Sequence, residues 1–324
     1  MGDQHSDDPL HMAIKMIVIN LILGVLFLYL GAEGLIRGGS ALAVRLGIPV
    51  IVIGLTIVAF GTSAPELVVS VQAGLEGRGD IAIGNVIGSN IVNTSFILGF
   101  CAMLFPLSIH RRLLNTDTPL MILIASVLFG IFLVSPVFTR FIGILFLSGL
   151  VVYTVWSIAN GMKTHIPASE PSPHQMNSWI IEVLFIIGGL VILLLGSHLF
   201  LLGAVTYAQL YGVSDRVIGL TIVAIGTSLP ELAASLVAAF KNQGDIAIGN
   251  LVGSSIFNML GIIGAAAAVS PIHVENINWI DFVYMIALFI GLWVMIRKGT
   301  HITRWEGAFL FFSYLVYLCY LLYF

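Results

Sequence analysis

Two stretches of this chain share 14 of their 21 residues and lie a constant 165 residues apart. "GLTIVAFGTSAPELVVSVQAG" covers residues 54–74, and "GLTIVAIGTSLPELAASLVAA" covers residues 219–239. Each is long and apolar enough to cross a bilayer, yet each carries a proline and a glutamate at its middle. The same shift, without a gap, relates the residues that follow as far as Asn93 and Asn258. The repeat indicates a fold with two related halves.

Composition indicates that both halves lie in a membrane. Hydrophobic residues make up 59% of the chain and charged residues only 9%, and the mean hydropathy is +1.07. A soluble domain has about 25% charged residues. The net charge of −3 comes without a basic cluster, so nothing indicates a nucleic acid partner. Lipid is the expected surrounding of an all-α integral membrane protein.

Apolar runs of about 20 residues, enough to cross roughly 30 Å of hydrocarbon, recur along the chain and predict ten transmembrane helices. The only long loop is rich in Pro and Ser and divides the chain nearly in half. The predicted units are an extracellular tail 1–12, a first five-helix repeat 13–160, a cytoplasmic linker 161–178 and a second five-helix repeat 179–324. The predicted spans are 13–36, 48–75, 81–105, 119–135, 141–160, 179–202, 217–240, 246–270, 281–296 and 305–323.

The number of spans sets the relation between the halves. Five is odd, so the second half enters the membrane from the opposite side and the repeat is inverted. Counted over alternate loops, nine of the thirteen Lys and Arg residues fall on one side. The positive-inside rule makes that side cytoplasmic. Both termini are therefore expected outside.

Proline explains why the second and seventh helices should be kinked. Pro65 lacks a backbone N–H and crowds the carbonyl four residues earlier, which frees carbonyl oxygens near Ala59 to Thr62. Thr62 and Ser63 precede Glu66 by four and three residues and share its face of the helix. Two hydroxyls, a carboxylate and backbone carbonyls are thus predicted to converge in each half.

The next span of each half supplies a second polar wall. "DIAIGNVIGSNIVN" places Asn85, Ser89 and Asn93 on one helical face, and "DIAIGNLVGSSIFN" repeats the stripe. The first carboxamide of each stripe could make an interhelical hydrogen bond or contact an ion. Glycines at the same spacing, which are Gly84, Gly88, Gly249 and Gly253, predict close helix packing.

Hard oxygen ligands of this kind suit Ca²⁺ and, equally, Na⁺. Transition metals would favour His or Cys, which these segments lack. An acid near the bilayer centre is unfavourable by about 2.5–3.5 kcal/mol on insertion scales, so Glu66 and Glu231 are functional candidates. Glu33 and Glu182 lie near span ends, where a solvated or snorkelling acid is the simpler interpretation.

At these residues the chain resembles the Ca²⁺/cation antiporter superfamily. "GTSAPEL" and "GTSLPEL", each followed by "GN" and "GS" with a final Asn, are similar to its two alpha-repeats, nearest the prokaryotic sodium/calcium exchanger branch. The resemblance implies an antiporter of the prokaryotic cytoplasmic membrane that exchanges Na⁺ for Ca²⁺ by alternating access, needs no cofactor and works as a monomer. It also implies that the first and sixth helices slide across the remaining core.

The resemblance also assigns ion ligands to positions of this chain. Glu66 and Glu231 correspond to the shared carboxylates, and Ala59 and Ala224 to backbone carbonyl donors. Side chains around them correspond to Thr62, Ser63, Thr227, Ser228, Ser89, Ser254, Asn93 and Asn258. Two carboxylates balance one Ca²⁺ or two Na⁺, so a third Na⁺ would make each exchange cycle electrogenic.

Departures from the family pattern limit which ion could be coupled to Ca²⁺ transport. The K⁺-dependent branch has Asp at the positions of Glu231 and Asn258, which argues against K⁺ cotransport here. The H⁺-coupled branch resembles "GNxxEL" where this chain has "GTSxPEL", which argues against proton coupling. H⁺-coupled Ca²⁺ antiport is kept as the alternative function. A Ca²⁺-permeable channel is a further alternative, although pores are usually rings of repeated elements. An enzyme is the weakest interpretation, because no nucleophile or phosphate loop accompanies the glutamates.

Overall fold

The chain is described from a computed structural model that covers residues 9–163, 178–213, 222, 224–299 and 301–323. The first eight residues of the predicted tail, most of the predicted linker and the start of the seventh span lie outside the described residues. Helices dominate the rest. The α-helices are α1 Pro9–Leu46, α2 Val50–Ile53, α3 Ala59–Thr62, α4 Ala64–Leu75, α5 Gly79–Ile91, α6 Leu98–Leu104, α7 Thr118–Val134, α8 Arg140–Lys163, α9 Trp179–Leu210, α10 Ala224–Thr227, α11 Leu229–Phe240, α12 Gly244–Phe257, α13 Ile263–Val269, α14 Trp279–Lys298 and α15 Arg304–Tyr323. Segments of π-helix are Gly54–Val58, Val92–Ile97, Leu113–Asp117 and Asn258–Ile262.

Membrane-crossing helices account for most of the described chain. Within it, seven helices are long and apolar enough to cross a bilayer, or eight if the bent pair Val50–Thr62 and Ala64–Leu75 is one span. The helices α11 and α15 do not enter that count. The protein is therefore a multi-pass helical membrane protein, and the number ten stays a prediction.

The second predicted span is broken at Ser63, as its proline predicts. Its two halves meet at an angle of 49°, and Ser63 leaves the helical region with φ −82° and ψ 10°. Pro65 lies in the first turn of α4. Backbone N–H groups in a first turn have no acceptor within the helix, so the lack of an N–H in proline removes no helical hydrogen bond there. The second half repeats the break at Ser228, between α10 and α11, with φ −90° and ψ 11°. The bend predicted for the second helix is therefore present, and the seventh helix is interrupted at the matching serine.

Two short antiparallel ribbons join the halves. The strand β1 (Leu107–Ser108) pairs with β4 (His301–Ile302), and β2 (Val137–Phe138) pairs with β3 (Ile272–His273). In each ribbon the loop after the third span of one half meets the loop before the fifth span of the other half. The two ribbons are thus equivalent to one another under the repeat, and each ties two different loops, one from each half.

The helices α1 and α9 form a tightly packed pair. A Cβ added at Gly196 would lie 2.5 Å from the Leu28 nitrogen, and one at Gly24 would lie 2.7 Å from the Phe200 Cβ. Small residues permit such close approach of helices in membranes. Both helices are long, since 38 residues in α1 extend about 57 Å. Only 22% of the apolar window of α1 is buried, so most of this pair faces lipid.

The charged residues that suggested the end of the first span lie within α1, which continues to Leu46 instead of ending near residue 36. Glu33 forms ion pairs with Arg37 and with Lys241, which neutralise it inside the helix. Glu182, on α9, is also not solvated: its side chain is 1% exposed and pairs with Arg45 at 2.8 Å. The interpretation of Glu182 as a solvated or snorkelling acid was wrong, because sequence position alone does not reveal a partner from another helix.

The interior consists of the third and eighth spans. About four-fifths of their apolar windows are buried, 78% for Gly79–Leu104 and 83% for Gly244–Val269. In α12 the glycines pack as predicted: a Cβ at Gly253 would lie 2.6 Å from the Leu55 carbonyl oxygen, and one at Gly249 would lie 2.9 Å from that of Ile51. At Gly88 no described atom lies within 4 Å. These buried spans hold the broken helices from one side.

Candidate functional site

The two glutamates lie in the same buried region and are linked by crossed hydrogen bonds. Ser63 Oγ donates to Glu231 Oε1 at 2.9 Å, and Ser228 Oγ donates to Glu66 Oε1 at 3.2 Å. Each hydroxyl comes from the helix break of one half and reaches the carboxylate of the other half. Glu66 is 1% exposed and Glu231 is 0% exposed. The breaks thus bring both carboxylates to one place.

A second group of oxygen atoms surrounds Thr62. Its hydroxyl lies 3.1 Å from Asn250 Oδ1, to which it donates, 3.5 Å from Ser254 Oγ and 3.4 Å from the Ala59 carbonyl oxygen. Ser254 Oγ in turn lies 3.5 Å from that carbonyl oxygen. The break of the first half and the stripe of the second half therefore meet through side-chain and backbone oxygens.

Two carboxamides hold the glutamate-bearing helices in position. Asn85 Nδ2 donates to the backbone carbonyl of Glu66 at 3.2 Å and to a serine hydroxyl of the same helix at 2.8 Å. Asn250 Nδ2 donates to the backbone carbonyl of Glu231 at 3.4 Å and to the matching serine at 3.0 Å. Both carboxamides thus make the interhelical hydrogen bond that was one of their two predicted roles.

The last asparagine of each stripe lies in a π-helical segment. Asn93 belongs to Val92–Ile97, which packs against α11, and Asn258 begins the π segment that packs against α4. Segments of π-helix inside α-helices are frequent at functional sites because they redirect side chains. Asn93 and Asn258 are 1% and 0% exposed. Each therefore lies in a segment packed against the helix that carries the other half's glutamate.

Several oxygens of this region are buried without a hydrogen-bond partner. They are Glu66 Oε2, Glu231 Oε2, Asn93 Oδ1 and Asn258 Oδ1. Among the described residues, no ion pair with Lys or Arg includes either glutamate. A buried carboxylate with no cationic partner is strongly unfavourable. The arrangement can thus be satisfied by a bound cation or by protons.

Hydrogen bonds and close oxygen contacts link many of the predicted ligands to one another, and Ser89, Asn93 and Asn258 are buried. Ser89 is 4% exposed. Among the described residues, no hydrogen bond joins Asn93 or Asn258 to either carboxylate. Thr227 is the last residue of α10, as Thr62 is of α3, and Ala224 is its first. The predicted ligands linked to one another in this way include Ala59, Thr62, Ser63, Glu66, Ser228, Glu231 and Ser254.

One polar residue of the region was missed by sequence reasoning. Asn90, which is 0% exposed, accepts a hydrogen bond of 3.2 Å from Asn258 Nδ2. It lies one residue after Ser89 and therefore off the polar stripe. Its side chain could have been noticed in the sequence, because Asn90 is a carboxamide on the apolar side of a membrane span. An unpaired polar group is unfavourable there, so a partner should have been expected.

Fold and site together define a class: a multi-pass helical membrane protein with an acidic, oxygen-lined centre buried between two related halves. The profile of the family described as "Sodium/calcium exchanger protein" matches residues 16–159 and 181–323. The chain belongs to this sodium/calcium exchanger family.

Individual relatives resemble the chain over nearly its whole length. The protein CaxA of Alkalimonas amylolytica is 39% identical over 311 residues, which are 92% of this chain and 96% of CaxA. The sodium/calcium exchanger MaX1 of Methanosarcina acetivorans is 31% identical and is matched over 95% of this chain and 100% of its own length. A solved structure of the sodium-calcium exchanger NCX_Mj superimposes with a TM-score of 0.82 at 29% identity, covering 95% of this chain and 99% of that chain.

Proposed function

We propose that this protein is a secondary antiporter that exchanges Na⁺ for Ca²⁺ by alternating access. Membership of the exchanger family supports cation antiport with Ca²⁺, and the exchanger NCX_Mj has been studied in crystals soaked with Na⁺ and Ca²⁺. The ions are the transported substrates, and no cofactor takes part. A transporter, unlike an enzyme, needs only a site that binds its ions and can be reached from either side.

The observation that carries the proposal is the set of buried oxygens without partners around Glu66 and Glu231. Oxygen ligands in large number are what Ca²⁺ prefers, and two carboxylates balance its charge. We assign the ligands to both glutamates and to the residues predicted around them. These are Thr62, Ser63, Thr227, Ser228, Ser89, Ser254, Asn93, Asn258 and the carbonyls of Ala59 and Ala224.

The proposed transport unit has ten transmembrane helices in two inverted repeats. Crossed hydrogen bonds between the two helix breaks support a two-fold relation. Each ribbon also joins two loops that the count of basic residues assigns to the same side of the membrane. We place the protein in a prokaryotic cytoplasmic membrane as a monomer, with both termini outside.

Ion fluxes in proteoliposomes test the proposal. Vesicles loaded with Na⁺ and diluted into Na⁺-free medium should accumulate ⁴⁵Ca²⁺, and uptake should stop when the Na⁺ gradient is abolished with an ionophore. An imposed K⁺ gradient should not replace the Na⁺ gradient. The double variant Glu66→Gln with Glu231→Gln provides the inactive control.

Two outcomes would replace the proposal. Uptake driven equally well by a pH gradient in Na⁺-free vesicles would favour H⁺-coupled antiport, in which the buried carboxylates carry protons. Ca²⁺ flux that needs no counter-ion and does not saturate would favour a channel, because a channel conducts without exchange.

A further inference from the structure

A carboxamide can offer a cation only one of its two ends. Its oxygen can ligate the ion, whereas its NH₂ group is a donor and repels it. Asn258 therefore needs a defined orientation if it is to be a ligand, a requirement that a carboxylate would not have. In this structure Asn258 Oδ1 is buried without a hydrogen-bond partner, while its Nδ2 is engaged by Asn90.

The bond to Asn90 fixes that orientation. Asn258 Nδ2 donates to Asn90 Oδ1 at 3.2 Å, and both side chains are 0% exposed. Turning the Asn258 carboxamide by half a turn would bring its oxygen against the oxygen of Asn90. Two buried acceptors facing one another lose the hydrogen bond and leave both groups unsatisfied, which is unfavourable away from water.

A third side chain prevents both carboxamides from turning together. Asn90 Nδ2 donates to Met285 Sδ at 3.6 Å, and Met285 is fully buried on α14. A thioether sulfur accepts hydrogen bonds but cannot donate them. The NH₂ group of Asn90 therefore faces Met285, and its oxygen faces Asn258. Hydrogen-bond donation therefore runs from Asn258 of the eighth span to Asn90 of the third span, and from Asn90 to Met285 of α14.

In the second half, the residue that corresponds to Asn90 does not bond to Asn93. Ser255 occupies the position that matches Asn90, and its hydroxyl bonds to its own helix at the Leu251 carbonyl, 2.9 Å away. Both ends of the Asn93 carboxamide are buried without a described partner. The two otherwise similar asparagines are thus treated differently by their surroundings.

We infer that Asn90 is a positioning residue that makes Asn258 an oxygen ligand for the transported cation. This inference rests on the proposed function, since it concerns the same central site. Residues that orient a ligand without touching the ion typically change metal affinity by about 10–100-fold when removed. Asn90 also makes the two halves of the site unequal, because only Asn258 has its orientation imposed.

A double-mutant comparison tests this role. Asn90→Ala should weaken Ca²⁺ binding, measured by calorimetry on the purified protein, by about ten-fold, and raise the KM for Ca²⁺ uptake in parallel. In the background Asn258→Asp the same alanine change should alter affinity by less than about two-fold, because both oxygens of a carboxylate can ligate without orientation. Ser255→Ala is the matched control and should leave affinity unchanged.

The outcomes separate the inference from the proposed function. Equal losses in both backgrounds would show that Asn90 acts only through folding, and an unchanged affinity in Asn90→Ala would overturn the inference directly. If the alanine variant is not recovered, Asn90→Ser takes its place, since serine stands at the matching position of the other half. A wild-type protein that neither binds nor takes up Ca²⁺ would instead overturn the proposed function.

Discussion

Each central glutamate is held by a hydroxyl from the opposite half of the chain. Ser63 bonds to Glu231 and Ser228 to Glu66, and one oxygen of each carboxylate is left buried without a partner. Hydrogen bonds to one oxygen orient the carboxylate and leave the other available. Both carboxylates are therefore oriented by hydrogen bonds, but their negative charge has no cationic partner among the described residues.

The first prediction is that both central carboxylates are required for Ca²⁺ transport. Glu66→Gln or Glu231→Gln keeps the size of the side chain but removes the charge, and loss of such a buried charged contact is worth about 2–5 kcal/mol. Ca²⁺ uptake should fall on the order of 30-fold or more. The measurement is ⁴⁵Ca²⁺ uptake at matched protein content in the vesicles.

Glu76→Gln is the control for charge removal as such. Glu76 follows the end of the same helix as Glu66, but its side chain is 41% exposed. Uptake should stay at the wild-type level. Normal uptake by either central variant would contradict the assignment of both glutamates as ligands.

The helix breaks and the π-helical segments depend on close packing of neighbouring helices to stay in place. The π segment Gly54–Val58 packs on α12 so closely that Gly253 has no room for a side chain. Helices in lipid gain no hydrophobic drive from association, so contact between backbones matters more than in water. The glycines of α12 thus position the broken helix that carries Glu66.

We expect Gly253→Ala to lower the thermal stability of the protein. The added methyl group would lie 2.6 Å from the Leu55 carbonyl oxygen, and overpacking of this kind is destabilising by about 1–3 kcal/mol. The measurement is the temperature at which the detergent-solubilised protein loses its monodisperse peak in size-exclusion chromatography. Gly130→Ala is the control, because Gly130 is exposed on α7 with no described atom within 4 Å. Equal stability of the two variants would argue against tight packing at Gly253.

At the scale of the whole molecule, the charge of the site decides the electrical character of transport. Ca²⁺ neutralises two carboxylates, whereas three Na⁺ leave one positive charge. Moving one elementary charge through about 100 mV is worth about 2.3 kcal/mol, on the order of fifty-fold in the attainable Ca²⁺ gradient. Exchange of a third Na⁺ would therefore allow a steeper Ca²⁺ gradient to be maintained.

The corresponding prediction is electrogenic exchange. In Na⁺-loaded proteoliposomes, an interior made negative with K⁺ and valinomycin should slow Ca²⁺ uptake, and a positive interior should speed it. Uptake that ignores the imposed potential would instead indicate neutral exchange of two Na⁺ for one Ca²⁺.

Orientation in the membrane gives a further prediction at this scale. In a background without Cys101 and Cys319, Glu275→Cys near the β2 and β3 ribbon should react with an impermeant maleimide in right-side-out vesicles. Arg304→Cys, beside the β1 and β4 ribbon, should react only after permeabilisation. Both positions are exposed in the structure, so burial does not explain a difference. The reverse pattern would place the termini inside.

Four features could be predicted from the order of residues alone: the membrane setting, the repeat, the two helix breaks and the glutamates beside them. These follow from local physics: apolar length, the missing N–H of proline and the unfavourable burial of an acid. Three contacts became visible only in the folded protein: the pairing of each hydroxyl with its carboxylate, the ion pair of Glu182 with Arg45, and the hydrogen bond of Asn258 to Asn90. These contacts join residues more than 130 positions apart, and their geometry depends on how whole helices pack, which no spacing along the chain encodes.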